Sequence, residues 1–334
     1  MQKGSSRIIS AGYYIPKSSV QTAHILEEIK HEIPDLELGL IEQSMGVVEV
    51  RHSTTSEKPS DLAVKASRQA LSKADINFNE VGFIIYCGVE GDYVEPSTAH
   101  AVQNRLRLSG ACFDIQNACL GFATGLQIAD ALIASRMAKY VLVCTGEKLS
   151  NLTKAVLSEL KRTPDLELFK KKLGFLAVGD AGGAALVGPK EGNSGFKGIH
   201  AISHGKLAGL CYYRMKSGSL DGQMVMDKIT AQAIRAHKDI YGDCMKALKW
   251  TPSKINCLIT HQVGKRLFGR LSQIFNIAQE KMTKTYERYG NIATATFPVN
   301  YAQALESGKL KPGDNVFCGL SGSGLAICQM GFQV

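Results

Sequence analysis

The stretch FDIQNACLGF, residues 113–122, joins two elements of opposite character, and its reading decides the fold. Cys112 to Ile115 has the composition of a short buried strand. Leu120 to Ser135 is a long apolar run rich in Ala and Gly, the pattern of a helix buried all round. Tyr140 to Cys144 (YVLVC) reads as another buried strand. Upstream, Ile8 to Tyr14 reads as a first strand ended by Pro16, and Leu62 to Ala74 as a helix with Ser60 or Asp61 near its cap. Val81 to Cys87 (VGFIIYC) is again strand-like, and Ser97 to Leu106 reads as a helix behind Pro96. Strands alternating with helices in this way predict an α/β fold.

The second half of the chain repeats that order. Ile255 to Thr260 (INCLIT) stands where Val81 to Cys87 stood, followed by a helix at Lys265 to Phe275 and a short strand at Lys281 to Thr285. The turn Tyr289-Gly290-Asn291 opens an Ala-rich helix, Ala293 to Leu305, and a strand follows at Asn315 to Gly319. Cys119 lies 21 residues before Tyr140, and Asn291 lies 24 before Asn315. Both therefore fall at the start of the buried helix of their half, which points to an internal duplication. Two such units predict a layered sandwich of sheets and helices with the two helix starts facing each other. The Pro-, Gly- and Asn-containing run Pro189 to Gly195 marks the boundary, giving halves of 1–190 and 195–334. Ser150 to Lys172 is polar, basic and helical around Pro164, an excursion from the core that would shape either a pocket or a dimer edge.

Composition narrows the function classes. The chain has 334 residues, 45% of them hydrophobic and 21% charged, close to the globular average. Its formal net charge is +9, which fits a solvated basic surface or a basic mouth for an acidic partner. No long Lys/Arg tract and no zinc spacing support nucleic acid. The nine cysteines are odd in number, irregularly spaced and free of CxxC pairs, so they read as thiols in a reducing compartment. Cys87, Cys144, Cys257 and Cys318 lie in apolar runs, and all but Cys119 read as structural. No signal peptide and no membrane-length apolar run is evident, so the expected location is the cytoplasm.

Cys119 sits at a strand-to-helix junction, where unpaired amides and a partial positive charge are expected to favour the thiolate nucleophile. The alternative is one more buried cysteine. His261 follows the strand INCLIT, where ligands meet α/β sheets, although a lone histidine there is as often a satisfied core residue. Asn291, in a Gly-Asn pair, is by itself turn chemistry. The duplication raises all three together. An acyl-transfer cysteine needs a base and an oxyanion hole. His261 supplies the first, or a donor when protonated; the Asn291 amide donates without titrating. The Cys119 amide and the turn Ser321-Gly322-Ser323-Gly324, with the Ser323 amide, are candidates for the hole.

These pieces, NACLGF around Cys119, GDAGGAALV, THQVGKRL around His261, YGN at Asn291 and SGSGL, resemble the β-ketoacyl-ACP synthase III branch of the thiolase superfamily, in the family's order and across almost the whole chain. The resemblance implies a duplicated, five-layered αβαβα fold and a homodimer. It also implies a Cys119-His261-Asn291 triad, a pantetheine tunnel, acyl-CoA or acyl carrier protein as substrates, and neither metal nor organic cofactor. Asp92 to Ala99 (DYVEPSTA), with FDIQNACLGF and Thr145 to Leu152, is similar to the head-to-head condensing enzymes of olefin biosynthesis and to pyrone synthases. That sub-branch implies that Glu95 reaches the partner subunit's active site and removes an α-proton. Taken alone, Glu95 is a helix-start carboxylate.

The implied reaction is non-decarboxylative Claisen condensation of two acyl thioesters through a Cys119 acyl-enzyme. The alternatives are decarboxylative condensation with malonyl carrier protein, acyl transfer to oxygen or nitrogen, and a non-catalytic scaffold subunit. Val263-Gly264 departs from the Ala-Asn usual after His-Gln in the synthase III family, which favours the sub-branch. Lys265, Arg266 and Arg270 are candidates for carrier phosphate contacts, or simply an exposed basic face.

Overall fold

Along Tyr140–Glu147, Val141 and Val143 enter one apolar cluster while Leu142 and Cys144 enter another, and all four are fully buried. A strand buried on both faces lies in an inner sheet, between two layers. The computed structural model describes residues 4–216 and 219–334. In chain order its strands are β1 (Ser6–Tyr14), β2 (Ser18–Gln21), β3 (Glu49–His52), β4 (Val81–Tyr86), β5 (Ala111–Asp114), β6 (Tyr140–Glu147), β7 (Ala181–Pro189), β8 (Gly195–Ser203), β9 (Cys211–Lys216), β10 (Ser219–Met224), β11 (Cys257–Thr260), β12 (Asn315–Gly322) and β13 (Ala326–Gln333). The helices are α1 (Thr22–Glu27), α2 (Leu40–Met45), α3 (Pro59–Ser72), α4 (Thr98–Leu106), α5 (Gly121–Ala134), α6 (Ser150–Arg162), α7 (Leu166–Lys172), α8 (Met226–Leu248), α9 (Lys265–Phe275), α10 (Tyr286–Tyr289) and α11 (Thr296–Glu306).

One sheet has the order β1-β7-β6-β4-β5 and the other β8-β13-β12-β11. β4 runs parallel to β5 and β6, and β11 runs parallel to β12; the remaining ladders are antiparallel. The second sheet is thus the first with its last strand reduced. Where a strand was expected over Lys281 to Thr285, a single parallel bridge joins Leu258 to Met282, and the preceding Gln279–Lys281 is a 3-10 turn. α5 and α11 fill the space between the sheets, with Leu126 and Phe297 in the same cluster as Ile85, Val143, Ile259 and Cys318. α3 and α4 cover the outer face of the first sheet, and α8 and α9 that of the second. This gives helix, sheet, helix, sheet, helix: the five-layered thiolase-like arrangement. Each aliphatic side chain buried in these layers contributes about 1.5–3 kcal/mol.

Asp61 takes part in capping α3, as expected, from inside the first turn. The cap residue is Lys58, whose amide donates to Asp61 Oδ2 at 2.8 Å, and Pro59 occupies the first helical position. The GDAGG motif has a structural use as well. The Asp180 carboxylate, fully buried, accepts from the amides and hydroxyls of both Ser53 and Ser150 at 2.7–2.8 Å, tying the start of α6 to the end of β3.

The 150–172 excursion is α6 and α7, broken at Pro164 and followed by a 3-10 turn at Leu173–Leu176. It packs against the hairpin β9–β10. Lys172, 3% exposed, crosses between them: it donates to the Leu220 carbonyl at 3.0 Å and pairs with Glu159. A buried ammonium satisfied on both sides is costly to break, so the hairpin is held in place over the helices.

Candidate active site

Cys119 does not open a regular α-helix. It is the middle residue of the 3-10 turn Ala118–Leu120, which leads into α5. Ala118 has φ 44°, and Ala293 has φ 43° at the start of the matching turn Ala293–Ala295, which leads into α11. Two alanines in so uncommon a conformation fix the superposition of the halves. Cys119 is therefore matched by Thr294, not by Asn291 as the spacing suggested; the match of Asn291 is Gln116. His261 has its own counterpart in Cys87. Each follows its strand and donates its amide to the fifth residue of the neighbouring one, Gly319 at 3.1 Å and Cys144 at 2.8 Å.

The predicted triad converges. Cys119, His261 and Asn291 all line one cavity of about 360 Å³, together with Gln116, Ser321, Gly322 and Ser323. Gly322 makes the close approach between the halves. A Cβ there would lie 2.9 Å from the Leu120 amide nitrogen and 3.3 Å from the Asn117 carbonyl oxygen, so any side chain would push the Ser321–Ser323 segment off the Cys119 turn. Asn291 is held by its backbone: its amide donates to Ala177 and its carbonyl accepts from Gly179, at 2.9 and 3.1 Å. Its Oδ1 accepts from the Ala293 amide at 3.0 Å, which leaves the Nδ2 donor for the cavity.

Electrostatics correct one expectation. Burial, reinforced by Cys211 and Glu147, pushes the Cys119 thiol well up, so the resting residue is a thiol and not the anticipated thiolate. Burial likewise lowers His261 from 6.5 to about 4, and no carboxylate contacts its ring among the described residues. The resting pair is neutral on both sides. Behind it, His237 is fully buried and lowered to about 3, first by burial and then by His261. Its Nε2 lies 3.1 Å from Ser321 Oγ.

Several site residues lay outside the sequence reading. Cys211 also lines the cavity, its thiol beside the Ser323 hydroxyl, so the other cysteines are not uniformly remote. Glu147, at the end of β6, is fully buried. It accepts from the Val89 amide at 3.1 Å and from the amide and hydroxyl of Thr294, and burial raises it to about 8. Glu90 is raised to about 7, by burial and then by Asp180. A signal for Glu147 existed in the acidic end of the apolar run YVLVCTGE; nothing comparable marked Cys211 or His237.

Other candidates lie outside the cavity. Glu95 is exposed on a loop where Val94 is fully exposed and Tyr93 half so, and it does not line the cavity of its own chain. Lys265, Arg266 and Arg270 are exposed on α9, whose Leu267 lines the cavity from the inner face. They engage the Gln43 carbonyl at 2.6 Å, Asp227 at 2.7 Å and Gln273 at 2.9 Å respectively. The excursion and its flanks supply cavity wall: Leu152 of α6, with Leu149 before it and Phe175 after it, lines the cavity together with Tyr213 and Met224 of the hairpin and Met226, Ile229 and Ala233 of α8. Among the described residues no helix is long and apolar enough to cross a membrane.

Comparison with known proteins agrees with this architecture. The 3-oxoacyl-[acyl-carrier-protein] synthase III profile matches residues 113–205, and the profile of that family's C-terminal part matches 245–333, together more than half of the chain. β-Ketoacyl-[acyl-carrier-protein] synthase III of Rickettsia felis is 27% identical over 324 residues, and that of Rickettsia bellii 26%, each covering 96% of both chains. Xanthomonas campestris OleA superimposes in its cerulenin-bound form with a TM-score of 0.92 at 24% identity, over 100% of this chain and 98% of the other. A cysteine-to-serine form of OleA, solved with lauric acid and lauroyl-CoA, gives 0.91 over 99% of each chain. A duplicated five-layered fold, a cysteine at the buried helix start of one half and a histidine and asparagine from the other, and two profile matches spanning both halves make the chain a member of the 3-oxoacyl-[acyl-carrier-protein] synthase III family, a condensing acyltransferase of the thiolase superfamily.

Proposed function

We propose that the chain joins two acyl thioesters by non-decarboxylative Claisen condensation through a Cys119 acyl-enzyme. The carrying observation is the single cavity in which Cys119, His261 and Asn291 meet beneath largely aliphatic and aromatic walls. Acylation begins with the neutral pair: the Cys119 thiol gives its proton to His261 as sulfur attacks the thioester carbonyl. The imidazole returns that proton to the departing carrier thiol. The Cys119 and Ser323 amides are proposed to hold the oxyanion of this step, worth about 10²–10³ in rate for one donor.

For the second step, Glu95 of a partner subunit takes an α-proton from the incoming acyl thioester. The enolate attacks the Cys119 thioester and expels the Cys119 thiolate, giving a β-keto product; the proton left on Glu95 balances the one the thiolate takes up to return to its resting thiol. His261 and Asn291 Nδ2 hold the enolate oxygen. The exposed Tyr93-Val94-Glu95 loop supports a homodimer that uses it in trans. An α-proton is weakly acidic, so the carboxylate must lose water on docking to become a competent base. Acyl-CoA and acyl carrier protein both fit as donors, and Lys265, Arg266 and Arg270 are proposed contacts for their phosphates. The 3-oxoacyl synthase III relatives favour a second reading, decarboxylative condensation with malonyl carrier protein, in which no base is needed.

Incubation with straight-chain acyl-CoAs, with and without malonyl-CoA, separates the two. β-Keto products without malonyl-CoA, abolished in Glu95→Gln, are the expected result. Carbon dioxide released in step with product, and undiminished in Glu95→Gln, would establish the decarboxylative reaction instead.

A further inference from the structure

We propose that the cavity wall over Gly174 sets which acyl chains are accepted, with Met224 and Met226 as the residues that discriminate them. This rests on the cavity being the acyl-binding space of the reaction proposed above. Gly174 is buried in the 3-10 turn Leu173–Leu176 that ends the helical excursion. A Cβ placed there would lie 2.4 Å from Met224 Sδ, 2.9 Å from Met224 Cγ and 3.0 Å from Met226 Sδ. The sulfurs thus rest where a side chain at 174 would be, and both methionines line the cavity. The glycine is a recess that keeps them out of the lumen.

The surroundings decide where they would go if the recess were filled. Phe175, next in the turn, is fully buried and meets Tyr213 edge-on with centroids 6.1 Å apart. Lys172 clamps the hairpin to the helices through Glu159 and the Leu220 carbonyl. The wall behind is packed and tied, while the lumen is open. Methionine side chains are unbranched and turn easily, so a methyl group at 174 moves them into the cavity rather than unfolding the turn. A hydrophobic pocket discriminates one methylene by about 10–200-fold.

The test measures kcat/KM for Cys119 acylation across acyl-CoAs from acetyl to palmitoyl. Gly174→Ala is expected to shift the optimum to shorter chains, with the longest substrates losing about tenfold or more relative to the shortest. Met226→Ala and Met224→Ala are expected to shift it to longer chains, and Gly174→Ala/Met224→Ala to restore a profile near that of the wild type. The single methionine variants keep the test alive should Gly174→Ala fold poorly. Equal losses at every chain length, or an unmoved profile, would overturn the proposal while leaving the condensing reaction intact. Absence of any Cys119 adduct in the wild type, read by intact mass, would instead remove the underlying reaction and this inference with it.

Discussion

The two halves of the molecule share one scaffold and hold different chemistry at matching places. Ala118 and Ala293 take the same left-handed backbone, yet Cys119 follows the first and Thr294 the second. Cys87 and His261 end equivalent strands; one is a thiol sealed in the inter-sheet core, the other an imidazole at the cavity. Gln116 and Asn291, like Ala118 and Ala293, both line the cavity. On the mechanism proposed above, the first half contributes the nucleophile and the second the groups that handle its proton and oxygen. Convergence of the helix starts brings these groups together, but identical positions do not carry identical roles. Thr294 illustrates this: its amide and hydroxyl satisfy Glu147, so the counterpart of the nucleophile has become a support for the other half.

The asymmetry is open to direct attack. Between Cys87 and His261 the difference should be large. His261→Ala is expected to cut condensation by about 10²–10⁴, measured as kcat with saturating acyl-CoA, whereas Cys87→Ala should leave it within a small factor. Next, Asn291→Ala removes a donor aimed at the cavity and should cost about 10²–10³ in kcat. Gln116→Ala, at the matched position, should cost far less, because its Nε2 donates to the Val89 carbonyl at 3.0 Å.

The smallest effect is on stability. Glu147 is raised from 4.5 to about 8, so the folded state keeps a proton that the unfolded chain gives up. Its contribution is full below about pH 4.5 and falls as pH rises through about 8. Glu147→Gln keeps an oxygen acceptor for Thr294 and Val89 and has no proton to lose. It is expected to raise the melting temperature at pH 8 by a few degrees over the wild type and to change it little at pH 5. Equal shifts at both values would show that the carboxyl does not titrate as its burial demands.

The layered fold was legible because buried strands and buried helices differ so plainly in periodicity and length, as in YVLVC against the run Leu120 to Ser135. The three residues of the cavity floor were legible because the duplication predicted which loop ends meet. Three misreadings have physical causes. The strand expected at Lys281 to Thr285 is reduced to one bridge at Met282, since the repeat preserves position better than pairing. The match of Cys119 was displaced by three residues because the 3-10 turns, invisible to apolar periodicity, set the frame. The thiolate was inferred from the helix start alone, without the burial that outweighs it. His237 is one of the buried positions along the amphipathic α8, Cys211 opens a strand and Glu90 lies in a loop, and only three dimensions bring them near the site.

A thiol and an imidazole that are both uncharged at rest have a consequence for handling this protein. Alkylating agents and peroxides react with sulfur anions, and burial disfavours that anion in the resting site. Iodoacetamide should therefore label Cys119 slowly at rest, and an acyl donor, which caps the sulfur and fills the cavity, should slow that labelling further.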